Sequence, residues 1–221
     1  MAICEKSNRC LDEAASEIAG RDGGGGAQGE FARHMIHLIH GIRTEGPSPV
    51  ENLIQYLVPY AVKYPDYGWI DGVETRFVNP IIVGTLAAYV APDDVLICHS
   101  NGCAIAYDLM GRGVKVAGCI FINAALSRLI MRRTAPWIDV YYNDGDEITE
   151  VAELAARLGL SDPAWGEMGH AGYLGTDSLI TNINCGATPG MPIVAGHSAF
   201  FEAENLTKWG PYLVDRLRTH L

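Results

Sequence analysis

Short apolar runs alternate with helix-like segments along this chain of 221 residues, and no other feature restricts the possible fold as strongly. Runs of about four to eight apolar residues are typical of buried strands. The predicted strands cover residues 35–39, 73–77, 94–98, 116–122 and 138–142, with another within 178–185 and a strand-like approach at 192–195. The predicted helices cover residues 51–63, 79–90, 103–110, 151–160 and 206–221, with Pro80 in the first turn of the second. This alternation predicts an α/β fold, a three-layer sandwich with a mostly parallel central sheet.

The segment 98–102, Cys-His-Ser-Asn-Gly, lies between a predicted buried strand and a predicted helix. A serine on such a sharp strand-to-helix turn has its hydroxyl lifted clear of the sheet. The backbone N–H of Asn101 then points to the place where an oxyanion would form, and Gly102 avoids a collision with neighbouring backbone. The alternative interpretation is that Ser100 only caps the following helix.

Further polar residues follow the other predicted strands. His40-Gly41, the pair Asp144 and Asp146, and His197 each come directly after a strand or an apolar approach. Ligand crevices of parallel sheets lie beyond the carboxyl ends of the strands, so we expect these residues to converge with Ser100. Acyl transfer by serine needs a base, a carboxylate that orients the base, and N–H donors for an oxyanion.

These segments resemble those of the α/β-hydrolase superfamily, specifically its small serine esterase- and lipase-like members. By the order of elements, the resemblance extends over residues 34–221. Cys98 occupies the first glycine position of the usual Gly-x-Ser-x-Gly motif. The motifs that carry the resemblance are His40-Gly41-Ile42, residues 98–103, residues 144–148 and Gly196-His197-Ser198.

The resemblance implies the α/β-hydrolase fold and a role for each matching residue. Ser100 is the expected nucleophile and His197 the expected base, in the family's order Ser, Asp, His. Asp146 is the expected acid, because the family's acid is followed two residues on by an aliphatic residue, here Ile148. Asp144 remains the alternative acid.

The resemblance also implies an oxyanion hole and neighbouring contacts to substrate. The expected oxyanion donors are the N–H groups of Ile42 and Asn101. We expect His40, Gly41 and Arg43 to lie beside the bound substrate.

The long connection between residues 147 and 192 contains a segment rich in glycine and large apolar side chains. Trp165, Met168 and Tyr173 are predicted to line an acyl or alcohol pocket beneath a partial cap. An equally good interpretation is a surface loop held by aromatic anchors.

Two clusters could suggest a metal ion, but neither has a suitable pattern. The residues after Asp144 and Asp146 do not continue a calcium-binding EF-hand loop. Strand alternation places His37 on the opposite face from His34 and His40, which disfavours a shared zinc ion. We therefore predict no metal and no cofactor.

The net charge of −10 disfavours binding to nucleic acid and to anionic membrane surfaces. No apolar run approaches the roughly 20 residues of a membrane span, and no basic-then-apolar secretion signal is expected at the N-terminus. The six cysteines show no metal-site spacing and no disulfide framework, which favours a cytoplasmic location.

Residues 1–30 are predicted to be a flexible appendage, with a short helix at 12–18 and a glycine-rich connector at 23–29. Residues 31–221 are predicted to form a single α/β-hydrolase domain. The expected activity is hydrolysis of a small-molecule carboxylic ester through an acyl-enzyme. A thioesterase or amidase with the same residues, or a catalytically silent binding protein of the same fold, remains possible, and the oligomeric state stays open.

Overall fold

A single parallel sheet forms the centre of the molecule in a computed structural model. The structure describes residues 34–42, 48–68, 70–72, 74–129, 134–193 and 196–221. Six strands of the described residues form this sheet in the order β2-β1-β3-β4-β5-β6, and every neighbouring pair is parallel. The strands are β1 (Met35–Ile39), β2 (Ala61–Lys63), β3 (Val95–His99), β4 (Gly118–Ile122), β5 (Ile138–Tyr142) and β6 (Ile180–Asn184).

Within the described residues, five α-helices and two 3₁₀ turns connect or cover these strands. The helices are α1 (Thr75–Leu86), α2 (Asn101–Gly111), α3 (Glu147–Arg157), α4 (Met168–Ala171) and α5 (Ala203–His220). The 3₁₀ turns are Pro49–Leu53 and Ala199–Phe201.

Side chains that alternate along the strands supply two separate cores, one on each face of the sheet. In β3, Leu96 and Cys98 join the core that includes the buried residues of α1 and α2. Val95 and Ile97 join the core formed with the 3₁₀ turns and α5. Strands buried on both faces are near-continuously apolar because neither face meets water. The predicted three-layer α/β architecture with a parallel sheet is therefore confirmed.

The predicted helix over 51–63 is wrong. Residues 49–53 form only a 3₁₀ turn, and residues 61–63 belong to edge strand β2. Pro59 explains the difference, because proline in a helix interior removes a backbone donor and clashes with the preceding turn. Leu53 and Leu57 are fully buried all the same, so the apolar pattern correctly indicated burial but not its helical form.

The predicted strand over 73–77 is also wrong. Residues 75–77 form the first turn of α1, and Val73 lies outside the described residues. The Thr75 hydroxyl donates to the Gly72 carbonyl at 2.7 Å at this helix start. Pro80 consequently lies inside α1 rather than in its first turn, and the helix ends at Leu86 instead of residue 90.

Other boundaries differ by a few residues. The helix predicted over 151–160 begins at Glu147, since Asp146 caps it by accepting from the Thr149 N–H at 3.4 Å. The terminal helix begins at residue 203 rather than 206, and β4 begins at residue 118 rather than 116. Residues 192–193 form no strand. The predicted appendage at 1–30 and residues 194–195 lie outside the described residues.

Candidate active site

The backbone at Ser100 turns sharply between β3 and α2. Its φ of 56° and ψ of −124° lie in a region that non-glycine residues rarely occupy. The Ser100 N–H donates to the Ile122 carbonyl at 3.2 Å, and the Ser100 carbonyl accepts from the N–H groups of Cys103 at 3.0 Å and Ala125 at 3.2 Å. These bonds hold a strained conformation that places the serine side chain at the end of the sheet.

Two glycines allow the backbone to approach this turn closely. A Cβ atom on Gly102 would lie 2.3 Å from the Ile39 carbonyl oxygen. This is the collision with neighbouring backbone that the sequence predicts for any side chain at this position. A Cβ atom on Gly41 would lie 2.9 Å from the Ser100 Cβ atom and 3.2 Å from its Oγ atom. The segment that follows β1 therefore passes directly against the serine.

Ser100, His197 and Asp146 form one hydrogen-bonded cluster. The Ser100 Oγ atom lies 2.7 Å from His197 Nε2, and His197 Nδ1 lies 2.9 Å from both carboxylate oxygens of Asp146. A carboxylate only accepts, so Nδ1 carries the proton in neutral imidazole and Nε2 is left to accept from the serine hydroxyl. This arrangement suits transfer of the serine proton to His197.

The Asp146 carboxylate is fully buried and well partnered. Besides His197, it accepts from Asn123 Nδ2 at 2.9 Å and from the Thr149 N–H. Burial raises the pKa of Asp146, but the bonds and charge of His197, with the bonds from Asn123 and Thr149, outweigh burial and hold the pKa below its usual value. Asp146 therefore stays ionised at neutral pH.

The alternative acid, Asp144, lies apart from this cluster. It is exposed, and its carboxylate accepts weakly from Asn184 Nδ2 at 3.4 and 3.5 Å. Its position at the turn after β5 is therefore typical of a solvated turn residue.

The imidazole of His99 lies directly behind His197. Its Nε2–H donates to the His197 carbonyl at 3.2 Å, and the two rings are 4.9 Å apart. Burial, followed by the nearby His197 charge, lowers the pKa of His99 to about 3. His99 is thus a neutral support for the backbone of His197.

The residues expected to supply the oxyanion donors come from the start of α2 and from the segment after β1. Asn101 is the first residue of α2, so its N–H has no partner within that helix. Ile42 follows Gly41, which contacts Ser100. The nearby imidazole of His40 is buried and stacks on the Tyr67 ring at 3.7 Å. Arg43 lies outside the described residues.

The three predicted pocket residues occupy different environments. Trp165 is buried beside the serine turn, and its Nε1–H donates to Asn101 Oδ1 at 2.9 Å. Met168 is fully buried within the core on the α1 and α2 face. Tyr173 is half-buried, and its backbone bonds the Asn182 side chain at 2.7 and 2.9 Å. The structure therefore places only Trp165 in hydrogen-bond contact with the serine turn.

Sequence reasoning missed several polar residues around the cluster. Asn123 bonds the Asp146 carboxylate and has a φ of +47°. Asn79 donates to the Asp162 carboxylate behind the serine turn. Asn123 follows a buried strand, a position that could have marked it as a candidate. Asn79 lies mid-helix and Asp162 lies in a loop, and nothing in the local sequence distinguishes them.

Within the described ranges, no three His, Cys, Asp or Glu side chains are grouped to hold a metal ion. His34 bonds the Asp93 carbonyl at 2.8 Å, and His37 bonds Asp94 at 2.7 Å, so these histidines have separate partners. In the part of the chain that the structure describes, no helix has the length and apolar character to cross a bilayer.

Known protein families and curated sequences provide no match to this chain. Solved structures do match. The esterase domain of a Rhodothermus marinus protein is similar with a TM-score of 0.51 at 13% identity, covering 84% of this chain and 86% of that chain. A CIB-like hydrolase from Thermoplasma acidophilum has a TM-score of 0.49 at 15% identity, covering 86% and 88%. The RedJ thioesterase of prodiginine biosynthesis in Streptomyces coelicolor has a TM-score of 0.48 at 11% identity, covering 96% and 95%.

The likeness at this level of identity concerns the fold. Six parallel strands covered by helices on both faces, with a sharp serine turn after β3, define the α/β-hydrolase fold. The similarity to the Rhodothermus marinus domain agrees with this assignment. The resemblance indicated by the sequence motifs is therefore confirmed for the fold.

Proposed function

We propose that this protein is a serine hydrolase that cleaves carboxylic esters through an acyl-enzyme. The observation that carries the proposal is the continuous chain of hydrogen bonds from Ser100 Oγ through His197 to the buried Asp146, at 2.7 and 2.9 Å. A serine hydroxyl bonded to an imidazole that a carboxylate orients is the arrangement that nucleophilic acyl transfer requires.

In the first half-reaction, Ser100 Oγ attacks the ester carbonyl carbon while its proton passes to His197 Nε2. The carbonyl oxygen becomes an oxyanion, which the N–H groups of Ile42 and Asn101 stabilise. The tetrahedral intermediate then collapses and expels the alkoxide, which takes the proton from His197. The products of this step are the alcohol and the Ser100 acyl ester.

In the second half-reaction, water replaces the alcohol. His197 takes a proton from water as it attacks the acyl carbonyl, and the same N–H groups stabilise the second oxyanion. Collapse breaks the bond to Ser100 Oγ, which recovers its proton from His197, and the carboxylic acid leaves. Asp146 remains ionised throughout and stabilises the imidazolium of His197.

The test of this proposal is hydrolysis of p-nitrophenyl butyrate by purified wild type and Ser100→Ala. We expect the variant to lose about 10⁴-fold or more in kcat, because removal of a triad nucleophile has effects of that order. Ser161→Ala is the matched control, since Ser161 is also buried and its hydroxyl has no hydrogen-bond partner among the described residues.

Near-wild-type hydrolysis by Ser100→Ala would refute the proposal. Absence of hydrolysis by wild type across a panel of esters, thioesters and anilides would favour a silent binding protein instead. Relative kcat/KM values within that panel identify the leaving group, because the same residues serve all three substrate classes.

A further inference from the structure

A closed pair of amides lies behind the serine turn. Asn79 of α1 and Asn101 of α2 are both fully buried. Asn79 Nδ2 donates to Asn101 Oδ1 at 2.9 Å, and Asn101 Nδ2 donates to Asn79 Oδ1 at 3.0 Å. This reciprocal pair joins the middle of α1 to the first residue of α2.

Two further side chains give this pair only one consistent orientation. The Asp162 carboxylate accepts from Asn79 Nδ2 at 2.7 Å, and a carboxylate has no proton to donate. The Trp165 indole donates to Asn101 Oδ1 at 2.9 Å, and an indole N–H cannot accept. An acceptor at one end and a donor at the other prevent either amide from flipping.

Asp162 is itself fixed by the loop that carries it. The carboxylate accepts from the Ala164 N–H at 2.9 Å, and the Asp162 N–H donates to the Thr75 hydroxyl at 3.2 Å. Asp162 is only 4% exposed, and no ion pair to it occurs among the described residues. A buried carboxylate with amide partners alone has a desolvation cost, so these bonds must be well made.

We propose that Asp162, Asn79 and Trp165 are positioning residues that hold Asn101, and with it the oxyanion N–H, in place. This inference rests on the proposed hydrolase function. The Asn101 side chain is clamped on both sides, which restrains the residue whose backbone N–H would stabilise the oxyanion. Such a donor is effective only when it is aimed at the developing charge before the reaction begins.

The first experiment compares Trp165→Phe with Trp137→Phe. Phenylalanine keeps an aromatic ring but removes the indole donor and part of the ring volume, and the control loses the same volume. Trp137 is the matched control, because it is 8% exposed against 7% for Trp165 and its Nε1 has no partner among the described residues.

We expect Trp165→Phe to lower kcat for p-nitrophenyl butyrate about tenfold and to change KM less than about twofold. Complete removal of an oxyanion donor costs about 10²–10³ in kcat, and a displaced donor should cost less. The inhibitor 1,1,1-trifluoro-2-butanone forms a serine adduct that carries an oxyanion. Its inhibition constant should therefore increase by a similar factor in Trp165→Phe. Trp137→Phe should leave both quantities unchanged.

A double-mutant cycle separates positioning from direct contact with substrate. If Trp165 acts through the Asn101 side chain, Trp165→Phe should have no further effect on kcat in an Asn101→Ala background. Equal effects in both backgrounds would show that Trp165 acts on the substrate, and the proposal would be wrong.

Asp162→Asn is the second variant and tests the other end of the network. An amide at this position must direct its NH₂ group at either Asn79 Nδ2 or the Ala164 N–H, so one bond is lost. We expect the same selective loss in kcat and in ketone affinity as for Trp165→Phe. Melting temperatures measured alongside identify any variant that is only unstable.

The outcomes also separate this inference from the proposed function. One outcome would overturn the positioning role alone. Wild type and Trp137→Phe would be active and labelled at Ser100 by a fluorophosphonate, and kcat would be unchanged in Trp165→Phe and Asp162→Asn. Wild type that is neither active nor labelled would overturn the hydrolase function and the positioning role together.

Discussion

Asp144 and Asp146 are two residues apart but have opposite environments. Asp146 is fully buried and bonds His197, whereas Asp144 is exposed and bonds only the amide of Asn184 among its described partners. A carboxylate that accepts from Nδ1 fixes both the tautomer and the orientation of the imidazole. Burial and hydrogen bonding therefore distinguish two acids that the sequence places side by side.

We predict that Asp146→Asn lowers kcat by about 10³–10⁴-fold, because an amide can donate to His197 Nδ1 and thereby favour the wrong tautomer. Asp144→Asn should stay within about twofold of wild type. Steady-state rates with p-nitrophenyl butyrate measure both effects, and circular dichroism checks that both variants are folded. A larger loss in Asp144→Asn would assign the acid's role to Asp144.

The connection that follows β1 depends on Gly41 for its approach to the serine turn. The hypothetical Cβ atom at this position lies within 3.2 Å of both Cβ and Oγ of Ser100. The contact joins two elements, since one residue comes from the end of β1 and the other from the start of α2. A side chain here would displace either the nucleophile or the segment that carries Ile42.

We predict that Gly41→Ala lowers kcat at least tenfold while most of the thermal stability remains, since the collision involves the site more than either core. Gly84→Ala is the matched control, because Gly84 lies on the exposed side of α1 and, among the described residues, a Cβ atom there meets only Arg112, at 3.6 Å. That control should keep full activity, and its free energy of unfolding should rise by about 0.5–1 kcal/mol, since alanine is the better helix former. Full activity in Gly41→Ala would contradict the close approach.

At the scale of the whole molecule, three buried histidines make stability depend on pH. Burial lowers the pKa of His37 and His40, and it lowers that of His99 to about 3. The unfolded chain binds protons at these histidines near pH 6.5, whereas the folded chain binds them only at lower pH. Stability is therefore fully present above about pH 6.5 and is lost as pH falls from there towards the folded pKa values.

We predict that the melting temperature falls between pH 6.5 and pH 5.5. His99 alone should contribute about 1 kcal/mol of this loss, or about 2–4 °C for a chain of this size. Scanning calorimetry of wild type and His99→Gln at pH 7.5, 6.5 and 5.5 measures how the melting temperature of each protein changes with pH. An equal pH slope in both proteins would show that His99 does not contribute.

The sequence predicts best those elements whose form is determined by their own residues and immediate neighbours. The buried strands β1, β3, β4 and β5 follow from short apolar runs, and the serine turn follows from Gly102. Edge strand β6 lies within the predicted range 178–185 although most of its side chains are not buried. Edge strand β2 could not be placed from the sequence, because only three residues pair with β1 and their surroundings resemble an amphipathic helix until Pro59 is considered.

The site shows the same division. Ser100 and Asp146 were recognisable because each comes shortly after a predicted buried strand. Among the described residues, no strand directly precedes His197, which was recognisable from the family's order Ser, Asp, His. Asn79 and Asp162 were not, because they are 83 residues apart and meet only through the packing of α1 against the loop after α3.

Covalent labelling of the full chain with a fluorophosphonate tests the central claim most directly. The probe phosphonylates a serine only when a base accepts its proton and N–H donors stabilise the oxygen on phosphorus. Intact-protein mass spectrometry should show a single adduct, and peptide mapping should locate it on Ser100, with no adduct on Ser100→Ala. An unlabelled wild type, or an adduct that persists in Ser100→Ala, would contradict the assignment of Ser100 as an activated nucleophile.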